Sequence, residues 1–385
     1  MNVKDFIINI SDSYLKSIEG LKVTDFPAGH NGPYFDKETP IRNISHWIIT
    51  LSNIYNWTGE KKYKEKVKYL STIYLLDEFK TNTTYKCRLK KGTKDEVNGL
   101  IGQAWVIEAL HYCYKLLNDE KFKLIGLDII SKHRFIKNKG LWSIKEVDNK
   151  DLGVDTAFNH QLWFAASASY FAPYNKDIKE NIDIFIKKLP FNLELYDNGI
   201  IYHLIKSEIG LQKFTNRFLK YRTLKSSLKN FVLNLKKFKI VDTFSVNAAF
   251  NRHKLQQYNK AVGYHSFNTF ALYILNRNGF NFYKEIPINK IISAFDNNDF
   301  VDIINKSKYS FPYNPPGFEI PISYTFSNKK LINEKLVFWL NKQLDLTFNK
   351  EQNKFSKNTL DDQTLNARIY ELSQYPVEIL NKTFL

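Results

Sequence analysis

The chain has 385 residues, is 43% hydrophobic and 15% aromatic, and carries a formal net charge of +17. So large an apolar supply excludes an intrinsically disordered chain, and the lack of any uninterrupted apolar run of about 18 residues argues against a membrane-spanning helix. Two cysteines, Cys87 and Cys113, are too few for a disulfide framework or a zinc site and suit a reducing cytoplasm, while 48 Lys against 8 Arg argues against base readout of nucleic acid, which favours Arg.

Helical periodicity runs through the chain. Phe6, Ile10, Tyr14, Ile18 and Leu21 form an apolar stripe at the N-terminus, with Asp5 and Asp12 inside the pattern, which reads as an amphipathic helix and not as a signal peptide. "RNISHWIITL" from residue 42 opens a more apolar helix, and Tyr63, Val67, Leu70 and Tyr74 follow on an amphipathic one. "LSNIYNWTGEKKY" (51–63) and "LHYCYKLLNDEKF" (110–122) match at a fixed offset, Leu51 with Leu110, Tyr55 with Tyr114, Tyr63 with Phe122. A repeat of that kind predicts stacked helical hairpins, each covering its neighbour's apolar face.

Further apolar, polar-tipped helix starts are expected at "NGLIGQAWVIEAL" (98), "FNHQLWFAA" (158), "GYHSFNTFALYIL" (263), "GFEIPISYTF" (317) and "DDQTLNARIYEL" (361). More polar partner helices follow around 61–78, 119–133, 176–188, 287–306 and 329–345, and the N-terminal helix serves as the sixth partner. The prediction is therefore all-α: one domain over 1–385 built as an (α/α)6 toroid of six inner and six outer helices. "NGIIYHLI" (198–205) can form a strand of a small β-hairpin on the rim. The longest interval between helix starts holds a basic insertion at about 204–255; from Leu204 to Ile240 eight Lys and two Arg stand against Glu208 alone, a net of +9. A solvated insertion is the plain reading, and contact with an anionic membrane surface or a phosphorylated substrate is the sharper one.

Parallel inner helices place their N-terminal ends on one rim. The first hairpin brings His30, Asn31, Tyr34, Asp36, Arg42 and His46 there. The second brings Asp95, Glu96, Asn98, Gln103 and Trp105, and the third Asp155, Asn159, His160, Gln161 and Trp163. Tyr264, His265 and Asn268 come from the fourth, Tyr313, Asn314 and Glu319 from the fifth, and Asp361, Asp362, Gln363 and Arg368 from the last. Singly, Asp155 reads as an N-cap and His160 as a core histidine. Together, amides, carboxylates, imidazoles and aromatics at six helix starts suit a sugar, with apolar ring faces and a hydroxyl edge.

Three chemistries fit that rim. Glycoside hydrolysis needs two carboxyl groups, Asp155 with Asp95 or Glu319. Epimerisation or isomerisation needs bases near neutral pH, and His160 and His265 are placed for it. A lyase would use Arg42, Asn159, His160 and Tyr264. Arg42, His46, Asn98, Gln103, Trp105, Asn159, Gln161, Trp163, Tyr264 and Tyr313 are the candidate substrate-binding residues. No HExxH, Cys-pair or Gly-rich phosphate loop is present, so no metal and no cofactor is expected. A non-catalytic glycan-binding scaffold is the alternative.

"NGPYFDKETPIRNISHWIIT", "NGLIGQAWVIEAL", "FNHQLWFAA", "PYNPPGFE" and "TLNARIYEL" together resemble the AglQ-type proteins of glycan-assembly gene clusters, and the chain outside 204–255 resembles the six-hairpin glycosidase superfamily, which includes unsaturated glucuronyl hydrolases and N-acylglucosamine 2-epimerases. The resemblance implies a role in building a surface glycan or protein-linked oligosaccharide, by sugar isomerisation or hydrolysis; with the cytoplasm suggested by the cysteines, the expected partner is a carbohydrate that can be lipid-linked or anionic.

Overall fold

A computed structural model describes residues 1–81, 84–90, 92–208 and 243–383, with side chains in the last segment from residue 254 onward. Six inner helices form a closed ring: Ile41–Thr58, Gly99–Leu117, Phe158–Ser169, Thr243–Arg277, Pro316–Ser323, and the pair Asp362–Ala367 and Ile369–Ser373. Each packs on the next, and the sixth returns to the first. Outside them lie Lys61–Leu70, Glu120–Lys132, Lys176–Lys187, Asn298–Lys306 and Ile332–Thr347, and the N-terminal helix Val3–Ser17 packs against the sixth inner helix to complete the ring. This is the expected (α/α)6 toroid.

Composition assigns each helix to its layer. In the first inner helix every residue from Ile41 to Ser52 is buried, whereas Lys61–Leu70 buries only Tyr63, Val67 and Leu70. An apolar stripe covers one side of an outer helix; an inner helix is enclosed all round. The hairpin repeat extends to its turns. Gly59 and Asn118, 59 residues apart, both end their helices in the left-handed conformation (φ 72° and 53°) and donate N–H to the carbonyls of Tyr55 and Tyr114.

Three features differ from the sequence expectation. The fourth inner helix does not begin at Gly263 but is continuous from Thr243, so Tyr264 and His265 lie well inside it. The expected strand at 198–205 is reduced to the bridges Leu195–Ile201 and Ala157–Leu204. Regular strands lie instead at Phe135–Ile136, Leu141–Lys145 and Asp151–Val154, one antiparallel sheet that leads directly into Asp155. Most of the basic stretch, 209–242, falls outside the described residues.

At the far end of the barrel from the N-terminal rim, Glu108 accepts hydrogen bonds from Tyr170 (3.3 Å) and Gln374 (3.1 Å), with Arg277 bonded to Gln374 (2.8 Å). Burial lifts the Glu108 carboxyl to about 7 despite the pull of Arg277. A carboxyl raised on folding contributes stability at pH below its unfolded value, lost as pH climbs through the folded one. Glu108→Gln is therefore expected to match the native protein near pH 4.5 and to exceed it above pH 7 by about 1–3 kcal/mol, a few degrees in melting temperature. Thermal denaturation across that pH range checks it; equal slopes for the two proteins would contradict it.

Candidate functional site

A cavity of about 190 Å³ opens at the rim where the inner helices begin. Two Asn-Gly pairs shape its edge. Asn31-Gly32 and Asn98-Gly99 are all left-handed, with φ between 52° and 60°. At Gly99 the close approach is required, because a Cβ would sit 2.6 Å from Asp155 Oδ2 and 2.7 Å from His160 Nδ1. Gly32 meets the Tyr313 ring in the same way.

Asp155 ends the sheet and stands ahead of the third inner helix. Its Oδ2 accepts from Leu100 N–H (2.9 Å) and from His160 Nδ1 (2.8 Å), and its Oδ1 from Ala157 N–H (3.0 Å). Burial alone would raise this carboxyl, but His160 and the two backbone donors outweigh it and hold it below the ordinary carboxylate range. An ionised, acceptor-only Asp155 places the proton on His160 Nδ1 and leaves Nε2 as the acceptor. His160 lines the cavity; Asp155 lies directly behind it.

His203 shares that wall. Burial, then Lys260 and His160, pull its imidazole well below the usual range, so it is neutral. Asn159 also faces in, its Oδ1 without a partner among the described residues. The rest of the lining is largely cationic and aromatic. Arg42 lies 4.1 Å above the Trp105 ring and pairs with Glu38 at 3.2 Å. Arg368 contacts Glu319 and Glu371 and donates to Asn314 at 3.1 Å. Arg88 bonds Asp95 (2.7 Å) and Asn98 (3.2 Å), and Lys94 bonds Asp36 (2.8 Å). Tyr34 and Tyr264 share a hydroxyl bond at 3.0 Å, and Tyr313 donates to Asn31 at 2.5 Å. Lys260 differs from the other four cations. Among the described residues it has no carboxylate partner, only the Tyr34 and Tyr264 ring faces at 5.5 and 5.9 Å, and burial pulls its ammonium down to about 8.

Of the residues singled out in the sequence, Asn31, Tyr34, Asp36, Arg42, Asn98, Trp105, Asn159, His160, Tyr264, Tyr313, Asn314 and Arg368 line the cavity. The others do not. Gln103 pairs with both the N–H and the carbonyl of Tyr85 (2.9 and 2.8 Å), and Gln161 does the same with Trp142 (2.9 and 2.8 Å). Asn366 holds Phe355 likewise (2.9 and 3.0 Å). A primary amide matches one residue's backbone donor and acceptor, and here it clamps the connection that precedes the helix. His265, expected as a base, accepts from Ile201 N–H (3.2 Å) and donates to the Ile291 carbonyl (2.9 Å), so neither ring nitrogen is free for chemistry. Trp163 is core, donating to the Phe267 carbonyl at 3.1 Å. His46 is buried, stacked on Tyr370 at 4.1 Å and edge-on to Trp105. Asp95 caps Gly99 N–H (2.7 Å) and holds Arg88, and Glu319 is fully buried against Arg368 and Ser266. Arg88, Lys94, His203 and Lys260 were missed in the sequence, because each sits in a connection or on a helix with no apolar pattern to flag it.

The relationship to known proteins follows the same architecture. Archaeal glycosylation protein Q of Haloferax volcanii is 33% identical over 355 residues, 90% of this chain and 91% of that protein. The chain belongs to the archaeal glycosylation protein Q family. No family model matches it. Solved structures with the same fold include D-mannose isomerase (TM-score 0.57, 12% identity, 97% of each chain) and cellobiose 2-epimerase from Spirochaeta thermophila (0.57, 8%, 96% of each). An unsaturated glucuronyl hydrolase specific for heparin is also similar (0.54, 10%, 99% of this chain and 98% of that one). At these identities the likeness shows the fold, the (α/α)6 toroid, and nothing beyond it.

Proposed function

We propose that the protein is a sugar isomerase or epimerase of glycan assembly that moves a proton at the carbon next to a sugar carbonyl, with His160 as the base. Membership of the glycosylation protein Q family together with this fold supports reading it as a carbohydrate-processing enzyme in glycan assembly. The choice of reaction rests on one observation: among the described residues the cavity presents an Asp-oriented histidine and no usable pair of carboxyl groups. Hydrolysis needs two carboxyls flanking the glycosidic bond, about 5–9.5 Å apart. Among the described lining residues the sole carboxylate is Asp36, and Lys94 holds it at 2.8 Å. Asp155 cannot serve as a proton donor, since its three donors keep it ionised.

The groups present suit enolisation. His160 Nε2 takes the proton from the carbon, and the electron pair moves into the carbonyl to give an enediolate. Neutral His203 donates a hydrogen bond to the developing oxyanion, and Arg42 and Arg368 stabilise its charge. Return of the proton from His160 to the neighbouring carbon, with a hydroxyl proton passing between the two oxygens, gives the isomer; the epimer forms when a second donor, such as solvent, supplies a proton to the other face. Incubation in deuterated water with mannose, N-acetylmannosamine and glucuronate, followed by NMR, tests this. Solvent deuterium at the carbon beside the carbonyl is expected; no exchange into any of the three, with a new reducing end released from a disaccharide incubated alongside, would overturn it.

The substrate carries an anionic substituent in this reading, because a desolvated ammonium with no carboxylate partner among the described residues costs free energy that a ligand carboxylate or phosphate offsets. Lys260→Met is expected to raise KM for an anionic sugar about 10- to 100-fold with kcat little changed, and to leave a neutral analogue unaffected, as steady-state kinetics on the matched pair would show.

A further inference from the structure

Five cationic side chains line the cavity: Arg42, Arg88, Lys94, Lys260 and Arg368. Four of them meet carboxylates, Arg42 on Glu38 (3.2 Å), Arg88 on Asp95 (2.7 Å), Lys94 on Asp36 (2.8 Å), and Arg368 on Glu319 and Glu371. Lys260 instead stands over the Tyr34 and Tyr264 rings, 5.5 and 5.9 Å from their centroids. Ring faces attract an ammonium without neutralising it. Among the described residues the lining is thus one negative charge short. A carboxylate brings one charge, whereas a phosphate monoester brings nearly two at neutral pH.

A carboxylate is also a carbonyl, so it can be the group beside which His160 removes a proton. Sugars built into a glycan are joined through the anomeric carbon, which closes the ring and masks the carbonyl at C1. In a hexuronate the C6 carboxylate survives that linkage, and the adjacent C5 carries a hydrogen. We propose that the substrate is a hexuronate linked through C1, held by its C6 carboxylate on Lys260 and epimerised at C5 with His160 as the base. This rests on the proton-transfer reading above and goes beyond it in naming the sugar class, its linked state and the reacting carbon.

In that reaction His160 Nε2 takes the C5 proton, the C–H electron pair becomes a C5–C6 double bond, and the carboxyl π pair moves onto oxygen. The single charge of the carboxylate becomes two in the enediolate. Lys260 meets the first, in substrate and intermediate alike, so its part is binding. The second develops together with the imidazolium on His160 and is met by Arg42 and Arg368. Arg42 is 1% exposed and keeps its Nε–H without a partner among the described residues. A solvent proton delivered to the other face of C5 restores the carboxylate in the inverted sugar, and His160 returns its proton to water. At about 190 Å³ the cavity falls below the roughly 300–1,000 Å³ of sites that enclose drug-sized ligands and suits one ring. The reacting hexuronate is therefore a terminal unit, with its linked neighbour outside the mouth.

The test is NMR of the full chain in deuterated water with methyl β-glucuronoside, methyl α-galacturonoside and methyl β-mannuronoside, in which C1 is locked, beside free mannose and glucuronate. Deuterium is expected at C5 of a locked hexuronide, with signals of its C5 epimer growing in. His160→Ala should slow both by about 10²–10⁴-fold. The methyl ester of the same glycoside keeps the C6 carbonyl and loses the charge. Below saturation Lys260→Met should slow exchange into the acid about 10- to 100-fold and leave the ester unchanged; at saturation the acid should exchange near the wild-type rate. Exchange at C2 of mannose or free glucuronate, with all three locked hexuronides inert, overturns this inference and leaves the proton-transfer reading standing. A 4,5-unsaturated ring in place of the epimer overturns it in favour of elimination. Equal losses for acid and ester in Lys260→Met overturn the carboxylate's place on Lys260. No exchange into any of the sugars overturns the proton-transfer reading and this inference with it.

Discussion

His160→Ala is expected to lower turnover by about 10²–10⁴-fold while substrate affinity and melting temperature stay near wild type. The ring stands at the cavity surface, so removing it takes away little buried packing, and its role in the proposed chemistry is confined to the proton in flight. Asp155→Asn should come close to the same loss in turnover by another route. The carboxylate fixes the proton on His160 Nδ1; an amide in its place can present N–H to that nitrogen, which would leave Nε2 protonated and unable to accept. Asn also has one acceptor atom where Asp155 uses two, so either Leu100 or Ala157 N–H loses its partner, at about 1–3 kcal/mol. The two variants are thus separable: His160→Ala inactive and stable, Asp155→Asn inactive and less stable. Deuterium exchange and thermal melts on the pair check this. Near-normal exchange in His160→Ala would remove the histidine from the mechanism.

Much of this arrangement was legible in the sequence, and the reasons differ by feature. The toroid was legible because helix burial writes itself as periodicity: all-round apolar segments alternate with striped ones, and the 59-residue offset holds even in the left-handed caps Gly59 and Asn118. The polar rim was legible as a whole but not residue by residue. Gln103 and Gln161 satisfy backbone groups while Asn98 and Asn159 face the cavity, and a primary amide at a helix start carries the same sequence signal in both roles. His160 and His265 differ likewise only in what surrounds them, a carboxylate and open space for one, Ile201 and Ile291 backbone for the other. Lys260 and Arg88 were invisible because cations abound here. One cue was available: among 8 Arg in a chain with 48 Lys, Arg42, Arg88 and Arg368 all line the cavity. Where composition drifts towards Lys, a site that needs a rigid bidentate donor keeps Arg.

Arg368 gives the second large effect. It is 1% exposed, contacts both Glu319 and Glu371, and still reaches the cavity. One guanidinium between two buried carboxyls leaves an excess negative charge unless a proton stays on the pair. Burial, then Glu371, push Glu319 well above the usual carboxylate range despite Arg368, which places that proton on the pair at neutral pH. Glu319→Gln substitutes a neutral hydrogen-bonding group for a carboxyl that is already protonated part of the time, so it should cost little stability. Arg368→Met strips the charge from two facing carboxyls and should destabilise the fold by about 3–5 kcal/mol at pH 8. The sign of its pH dependence is fixed. Both carboxyls in that variant are raised on folding, so their penalty vanishes below the ordinary carboxylate value and returns as pH rises through the folded one. Arg368→Met should therefore approach the wild-type melting temperature near pH 4.5 and fall away from it towards pH 8, whereas Glu319→Gln, which removes a raised carboxyl, should lie near wild type at pH 4.5 and gain on it towards pH 8. Equal destabilisation of Arg368→Met at both pH values would mean that lost packing, and not uncompensated charge, is what the arginine supplies.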